Sequence, residues 1–420
     1  MDVISSRNVM NIVRKTLNLI DYRLINHGER VSYIMYKMLS FQGTYPRDKI
    51  LQATITSMLH DIGAYKIEEL DDMLQFETRN VLRHSVYGYL FLKYLSPLKE
   101  YADLVLYHHL DYNKFQYIDT ENKEFASLLY LADRIDVYIN YFSENEIDDF
   151  LSDLSDNKVS IFAIELFKKA DKALNILSHI KNETYLEEMN QVFEEITYTE
   201  KEKQMFLSML IYSIDFRSEY TVMHTITTVS VADEIGRLMD LKDTDLKNLH
   251  YGALLHDIGK ITTPIQILEA PRKLTEEEMV IMKNHVKMSE YILKDYIKEE
   301  ILEIAIRHHE KIDGTGYYRN LKGEDLTRPQ RILAVADIVS ALCGKRSYKD
   351  SFHKEKIVNL LKKDKELGKL CPDVVDTVTD NFDDIMRNVN KLTEEPLRIY
   401  SEISDKYNII YNQLHNLESS

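Results

Sequence analysis

The residues best suited to chemistry lie in the run His308-His309-Glu310-Lys311-Ile312-Asp313-Gly314-Thr315-Gly316-Tyr317. Ile301, Ala305 and His308 follow one another at helical spacing, so the two histidines end an amphipathic helix. An acid and an Asp-Gly-Thr-Gly turn come next, where glycine takes backbone angles that other residues avoid. Upstream, His256-Asp257 ends a second helix; downstream, Asp337 lies inside a third. Imidazole and carboxylate suit iron, manganese or zinc, and an aspartate bridges two ions through its two oxygens. Two such ions activate water and neutralise a phosphoryl oxygen, which phosphodiester hydrolysis requires.

The helices that position these groups occur twice. His224, Thr228, Val231 and Ile235 share one stripe, and Leu246, Leu249, Ala253 and His256 form the next inward face. Thr275 and Glu278 form a capping box for the helix carrying His285, and Pro329 opens the helix carrying Asp337. In the first third of the chain a helix beginning near Asp21 carries His27, Val31, Ile34 and Met38 at the same spacing. Ile50, Ala53 and His60 form the next face, ending in His60-Asp61-Ile62-Gly63, where Gly63 reads as a helix stop. His84, His108-His109 and Asp133 follow.

Leading His to HD pair is 33 residues in the first copy and 32 in the second; HD pair to next His is 24 against 29. From there to the HH pair is 24 against 23, and on to the last Asp 24 against 28. This is an internal duplication. A lone histidine on an apolar face is more often a packed core residue, and a lone His-Asp dipeptide means little. Seven ligand types in one order, repeated, point to metal binding.

Lys260 stands about one helical turn beyond the HD pair, where it meets a substrate phosphate or, as a helix C-terminal cation, the last carbonyls. Arg307, Lys311, Arg319, Arg346 and Lys349 bring positive charge near the site in sequence, and of these Arg346 and Lys349 are the phosphate candidates. Most of the 28 tyrosines serve packing.

Glycine (12) and proline (7) are scarce and almost every periodic signal is helical, so the expected class is all-α. The net charge of -16 argues against a nucleic acid polymer as partner and requires a locally basic pocket for an anionic substrate. Cys343 and Cys371 are the only cysteines, which excludes a disulfide framework and fits a reducing cytoplasm. Arg14, Lys15 and Asp21 interrupt any N-terminal leader pattern, and no apolar run is long enough to span a bilayer. Residues 141–204 are acidic, helical in pattern and free of ligand clusters, and read as a connector.

His256-Asp257-Ile258-Gly259-Lys260 with His308-His309-Glu310-x-x-Asp313-Gly314-x-Gly316-Tyr317 resembles the HD-GYP family of cyclic dinucleotide phosphodiesterases. Leu274–Glu278, His285 and Ala336-Asp337 also match, and the resemblance covers roughly residues 205–400. It implies tandem HD-domain helical bundles: a diverged, regulatory or structural HD domain over 1–140, the connector, a catalytic domain over 205–400 and a tail over 401–420. His224, His256, Asp257 and Asp337 are then expected to hold one metal, with Asp257 bridging to a second held by His285, His308 and His309. His256, Asp257 and Lys260 are the expected catalytic residues, and Lys260, Tyr317, Arg346 and Lys349 the substrate contacts. The cofactors implied are two divalent transition metals, iron or manganese.

Cyclic di-GMP is the favoured substrate, cleaved to linear dinucleotide or GMP. Cyclic GMP-AMP and a non-catalytic cyclic dinucleotide receptor are the alternatives. A homodimer or a signalling-protein partner completes the expectation. Two positions depart from the pattern. Tyr318 replaces the family's proline, and Tyr220, beside Glu219, stands where some relatives have a third-metal glutamate. The first copy keeps His27, His60, Asp61, His84, His108, His109 and Asp133 as a second metal-site candidate. It has Ala64 in place of the lysine and lacks the glycine-rich run, so catalysis is not expected there.

Overall fold

Long amphipathic segments uninterrupted by glycine or proline leave helix packing as the way to bury apolar surface. The computed structural model describes residues 3–19, 25–66, 82–141, 147–154, 157–216, 219–343 and 354–419, with backbone alone for residues 65, 66, 141 and 219–222. Among these residues the only strand-like pairing is an isolated antiparallel bridge between Asp313 and Lys322. The chain is all-α, as its composition predicts.

The helices form two units: Leu17–Met209 with Glu402–Ser420, and Leu210–Ser401 with Met1–Thr16. This partition differs from the one expected of the sequence at three places. The first turns of the chain belong to the C-terminal unit, where Lys15 lies 3.4 Å from Asp295 and over the Tyr291 ring. Residues 402–419, expected as a tail, continue the helix Phe382–Ser419 and belong to the N-terminal unit, where Tyr407 stacks on Tyr87 at 4.2 Å. The expected connector is part of the N-terminal unit. Its helices Ile161–Leu174 and Tyr185–Glu194 pack on His27–Gln42, with Phe167 and Phe193 buried. Tyr185 meets Tyr33 at 5.6 Å, and Lys37 pairs with Glu188 at 2.8 Å.

In the N-terminal unit the ligand-bearing framework is His27–Gln42, Arg47–Met58, Leu82–Leu95, Ala102–Tyr107 and Lys123–Tyr141. The first of these opens at His27, after Asn26 in the left-handed conformation, and stops at Gly43 with φ 66. Asp21, the expected start, lies outside the described residues. In the C-terminal unit the corresponding helices are Glu219–Leu238, Asp243–Leu255, Glu276–Leu293, Glu299–Ile306 and Arg328–Cys343. Val231 and Ile235 pack with Leu249, Ala253, Val335 and Val339 in one buried core, each of the larger aliphatic side chains worth roughly 1.5–3 kcal/mol. Thr275 and Glu278 make the predicted capping box.

Gly63, expected as a helix stop, and its counterpart Gly259 share another role. Neither ends a helix by a left-handed turn; both allow a second backbone to approach. A Cβ on Gly63 would stand 2.0 Å from the His84 carbonyl oxygen, and one on Gly259 would stand 2.0 Å from that of His285. These contacts draw the helix bearing the next histidine against each HD turn. Gly259→Ala should therefore lower unfolding free energy by about 1–3 kcal/mol or more through overpacking against backbone. Gly368→Ala, at φ 71 in open space, should cost about 1–2 kcal/mol of backbone strain alone. Denaturant unfolding of both variants checks the order.

Candidate metal centre

A helix ends with carbonyls that have no intrahelical partner. The chain uses them to aim its histidines. His256 Nδ1 lies 2.7 Å from Ala253 O, and His308 Nδ1 lies 2.6 Å from Ala305 O. His285, inside its helix, makes the same contact with Met282 O at 2.7 Å. A carbonyl only accepts, so Nδ1 carries the proton and each Nε2 presents a lone pair away from the helix. His224 is held differently. Its Nδ1 lies 3.0 Å from Ser340 Oγ, whose hydroxyl donates to Asp337 O.

These lone pairs converge on Asp257. Its Oδ2 lies 3.1 Å from His256 Nε2 and 3.6 Å from His224 Nε2. Its Oδ1 lies 3.3 Å from His285 Nε2 and 3.8 Å from His308 Nε2. One carboxylate thus divides its oxygens between two histidine pairs. Asp337 closes the arrangement, with Oδ1 3.0 Å from His224 Nε2 and Oδ2 3.6 Å from His309 Nδ1. Asp257 Oδ1 and His256 Nε2 are buried without a hydrogen-bond partner. Such orphaned acceptors are costly unless a cation satisfies them, and the donor set is the nitrogen–oxygen mixture that divalent transition metals take. The seven candidate residues of the C-terminal unit are brought together, and their donor set fits divalent metal.

The electrostatics favour the ligand protonation states. Burial opposes charge on Asp257, but His256 and Lys260 hold its carboxyl well below the usual range. Burial likewise opposes charge on Asp337, and His224 holds it down. Burial pushes His309 down to about 3 and His308 well below its ordinary value, so both are neutral near pH 7. His224 goes the other way: against burial, Asp257 and Asp337 push it up to about 9. A proton there meets the demand for positive charge that a metal would meet.

Lys260 Nζ lies 2.5 Å from Asp257 Oδ2, so it belongs to the centre. Tyr317 packs on His309 with ring centroids 4.6 Å apart. Its loop is held by Glu310, a buried carboxylate accepting the backbone N–H groups of Arg319 at 2.6 Å and Leu321 at 3.0 Å. Gly316 is required beneath it, since a Cβ would stand 2.5 Å from Glu310 Cα. Tyr318, in the proline's place, donates to Glu290 at 2.9 Å. Arg346 and Lys349 lie outside the described residues, as do the side chains of Glu219 and Tyr220.

Two residues at the site carry no motif. Lys283 is exposed, with its Nζ 4.9 Å from the centroid of the Tyr317 ring. It lies two positions before His285, and that proximity is its only signal in the sequence. Asp215, at the end of Glu200–Asp215, is buried and pushed up to about 6 by that burial, within the field of Lys260 and Asp257.

The N-terminal residues His27, His60, Asp61, His84, His108, His109 and Asp133 are also brought together. His27, His60 and Asp133 form one group able to hold an ion, and His84, His108 and His109 form another. HD-domain family models match residues 24–138 and 208–373, one over each cluster. The chain is a tandem HD-domain protein of the HD-GYP type. This HD-GYP-type chain is 27% identical over 398 residues to 3'3'-cGAMP-specific phosphodiesterase 1 of Vibrio cholerae, covering 90% of this chain and 92% of that one. It is 36% identical over 157 residues to the cyclic di-GMP phosphodiesterase response regulator RpfG of Xanthomonas campestris, covering 36% of this chain and 41% of the relative. A crystal structure of a cyclic GMP-AMP specific phosphodiesterase from V. cholerae superposes with a TM-score of 0.57 at 18% identity, over 90% of this chain and 98% of that one, a likeness of fold.

The Glu310 latch makes a test independent of turnover. A hydrogen bond to a charged group contributes about 1.5–3 kcal/mol, so Glu310→Ala should speed amide exchange at Arg319 and Leu321 at least ~10-fold. Metal content should not change. Exchange measured by mass spectrometry, with elemental analysis of the same sample, checks both outcomes.

Proposed function

We propose that the C-terminal unit is a metal-dependent phosphodiesterase that opens a cyclic dinucleotide, using two divalent metals held by His224, His256, Asp257, His285, His308, His309 and Asp337. The observation that carries this reading is the division of Asp257: Oδ2 faces His224 and His256, and Oδ1 faces His285 and His308. When bound there, divalent metals supply an activated water and neutralise a phosphoryl oxygen. Iron and manganese suit the nitrogen–oxygen set.

The chain's own residues orient the substrate. Lys260 stands beside Asp257 and meets the oxygen of the phosphate that is cleaved. Tyr317 walls the pocket above His309. Lys283 has no carboxylate partner among the described residues and takes the second phosphate at the mouth. Arg346 and Lys349 remain phosphate contacts on sequence grounds. In a chain of net charge -16, such local cations must do this work.

Cyclic GMP-AMP is the first substrate to test, because the relative matched over both HD domains bears that specificity in its name. Cyclic di-GMP, favoured on the sequence, is the second, and relatives matched over the C-terminal half bear it. Among the described residues no helix is long and apolar enough to cross a membrane, and two free cysteines accord with a cytoplasmic location.

Asp257→Ala should reduce turnover of the preferred dinucleotide at least ~100-fold, because the one carboxylate that faces both histidine sets, and would hold metal with them, is lost. Asp61→Ala should leave kcat nearly unchanged. Product chromatography at saturating substrate, after circular dichroism confirms folding, checks both; the opposite pattern moves the reaction to the N-terminal unit. Lys283→Ala should raise KM about 5–150-fold, the equivalent of about 1–3 kcal/mol for a lost charged contact, with kcat retained. An unchanged KM removes Lys283 from the pocket.

A further inference from the structure

The N-terminal cluster has the features of a metal centre and lacks the features of an active site. Asp61 Oδ1 lies 3.5 Å from His84 Nε2 and 4.0 Å from His108 Nε2. Asp61 Oδ2 lies 3.6 Å from His27 Nε2 and 3.3 Å from His60 Nε2. Both oxygens are buried and neither has a hydrogen-bond partner. This repeats the division of Asp257 between two histidine sets.

The histidines press the point further. His108 Nδ1 donates to Val105 O at 2.6 Å, so its Nε2 is a bare lone pair. That nitrogen lies 3.3 Å from His84 Nε2, which in turn lies 3.0 Å from His109 Nε2. One proton can bridge one such contact and leaves the third nitrogen facing a lone pair. A cation at their common point satisfies all three. On the other side His60 Nδ1 donates to Ser57 O, and its Nε2 lies 3.2 Å from that of His27.

What surrounds this cluster differs from the C-terminal centre. Asp133 Oδ2 is taken by Arg134, with Nη2 at 2.6 Å and Nε at 3.0 Å. His27 Nδ1 is held by Asp136 at 2.7 Å, and Arg30 grips Asp136 at 2.5 and 3.0 Å. Two internal cations thus occupy carboxylate oxygens, and buried Ala64 stands where the lysine would be. The His109 side chain is 7% exposed, against 25% for His309. Among the described residues, Arg30 and Arg134 are engaged by carboxylates and His109 is buried.

We infer that the N-terminal unit holds a second, closed pair of divalent transition metals that maintains the fold of that unit and never meets substrate. The group is a structural one: buried imidazoles and carboxylates packed this closely are stable together when cations join them, so metal binding is folding free energy for this unit.

The test uses the full chain. A variant with His285→Ala, His308→Ala and His309→Ala, loaded with Mn²⁺ or Co²⁺ and freed of excess, should keep about two ions per chain in its N-terminal cluster. Cobalt should show the visible absorption of a nitrogen–oxygen site. No retained metal overturns the inference. If that variant does not fold, the parent chain supplies the measurement: about four ions per chain are expected, and about two in His84→Ala/His108→Ala. An equal count in parent and double variant overturns it. Chelation should lower the unfolding midpoint of the C-terminally emptied variant, and metal should restore it; an unmoved midpoint overturns the structural role. A folded His84→Ala/His108→Ala chain that keeps its C-terminal ions but loses turnover also overturns that role. Failure of the proposed reaction looks different, as absent hydrolysis in a chain with all of its ions.

Discussion

The placement of one buried carboxylate among imidazole nitrogens, made twice, governs this structure. Asp61 and Asp257 each stand at the end of a short turn, with oxygens facing opposite histidine pairs. A buried charge is tolerated only when it is paired and hydrogen-bonded. Much of the surrounding architecture provides that compensation. Helix ends lend carbonyls to orient the rings, and a glycine admits the next histidine helix against the HD turn. Serine or aspartate fixes the leading histidine, through Ser340 for His224 and Asp136 for His27.

The two centres diverge at the groups that finish them. In the C-terminal unit a flexible side chain, Lys260, neutralises Asp257, and a loop carrying Tyr317 packs on His309. Lysine is a point charge on a flexible stem, able to turn from a carboxylate to a phosphate. In the N-terminal unit arginines do the neutralising. Arg134 and Arg30 make forked contacts to Asp133 and Asp136. A fork is geometrically committed, so the arginines of the N-terminal unit are less free to turn to a new partner than Lys260.

The loop shows how the C-terminal unit keeps its centre accessible without leaving it loose. Glu310 spends its charge on two backbone N–H groups, which ties residues 319 and 321 to the end of the histidine helix. Gly316 passes directly over Glu310, where no side chain fits. Lys283 then lies over Tyr317 from the neighbouring helix. Tyr318, which replaces the family's proline, is held from outside by Glu290, and Arg319 pairs with the same carboxylate.

By itself the sequence determined the all-α class, the duplication and the fourteen candidate positions whose side chains meet in two clusters. Metal chemistry restricts those positions to histidine and aspartate, and helix geometry restricts their spacing, so both leave a mark in one chain. Only tertiary structure decided the rest. The apolar stripe of Ser6–Leu17 says that it packs, not that it packs in the C-terminal unit. The same holds for residues 402–419 and for the helices expected as a connector, because hydrophobic burial is non-directional and names no partner. Gly63 reads as a helix stop until the backbone that crosses it is in place. Lys260 on Asp257, Arg134 on Asp133 and Lys283 over Tyr317 are likewise meetings of side chains, and a charge in a sequence does not reveal which opposite charge or ring it will meet.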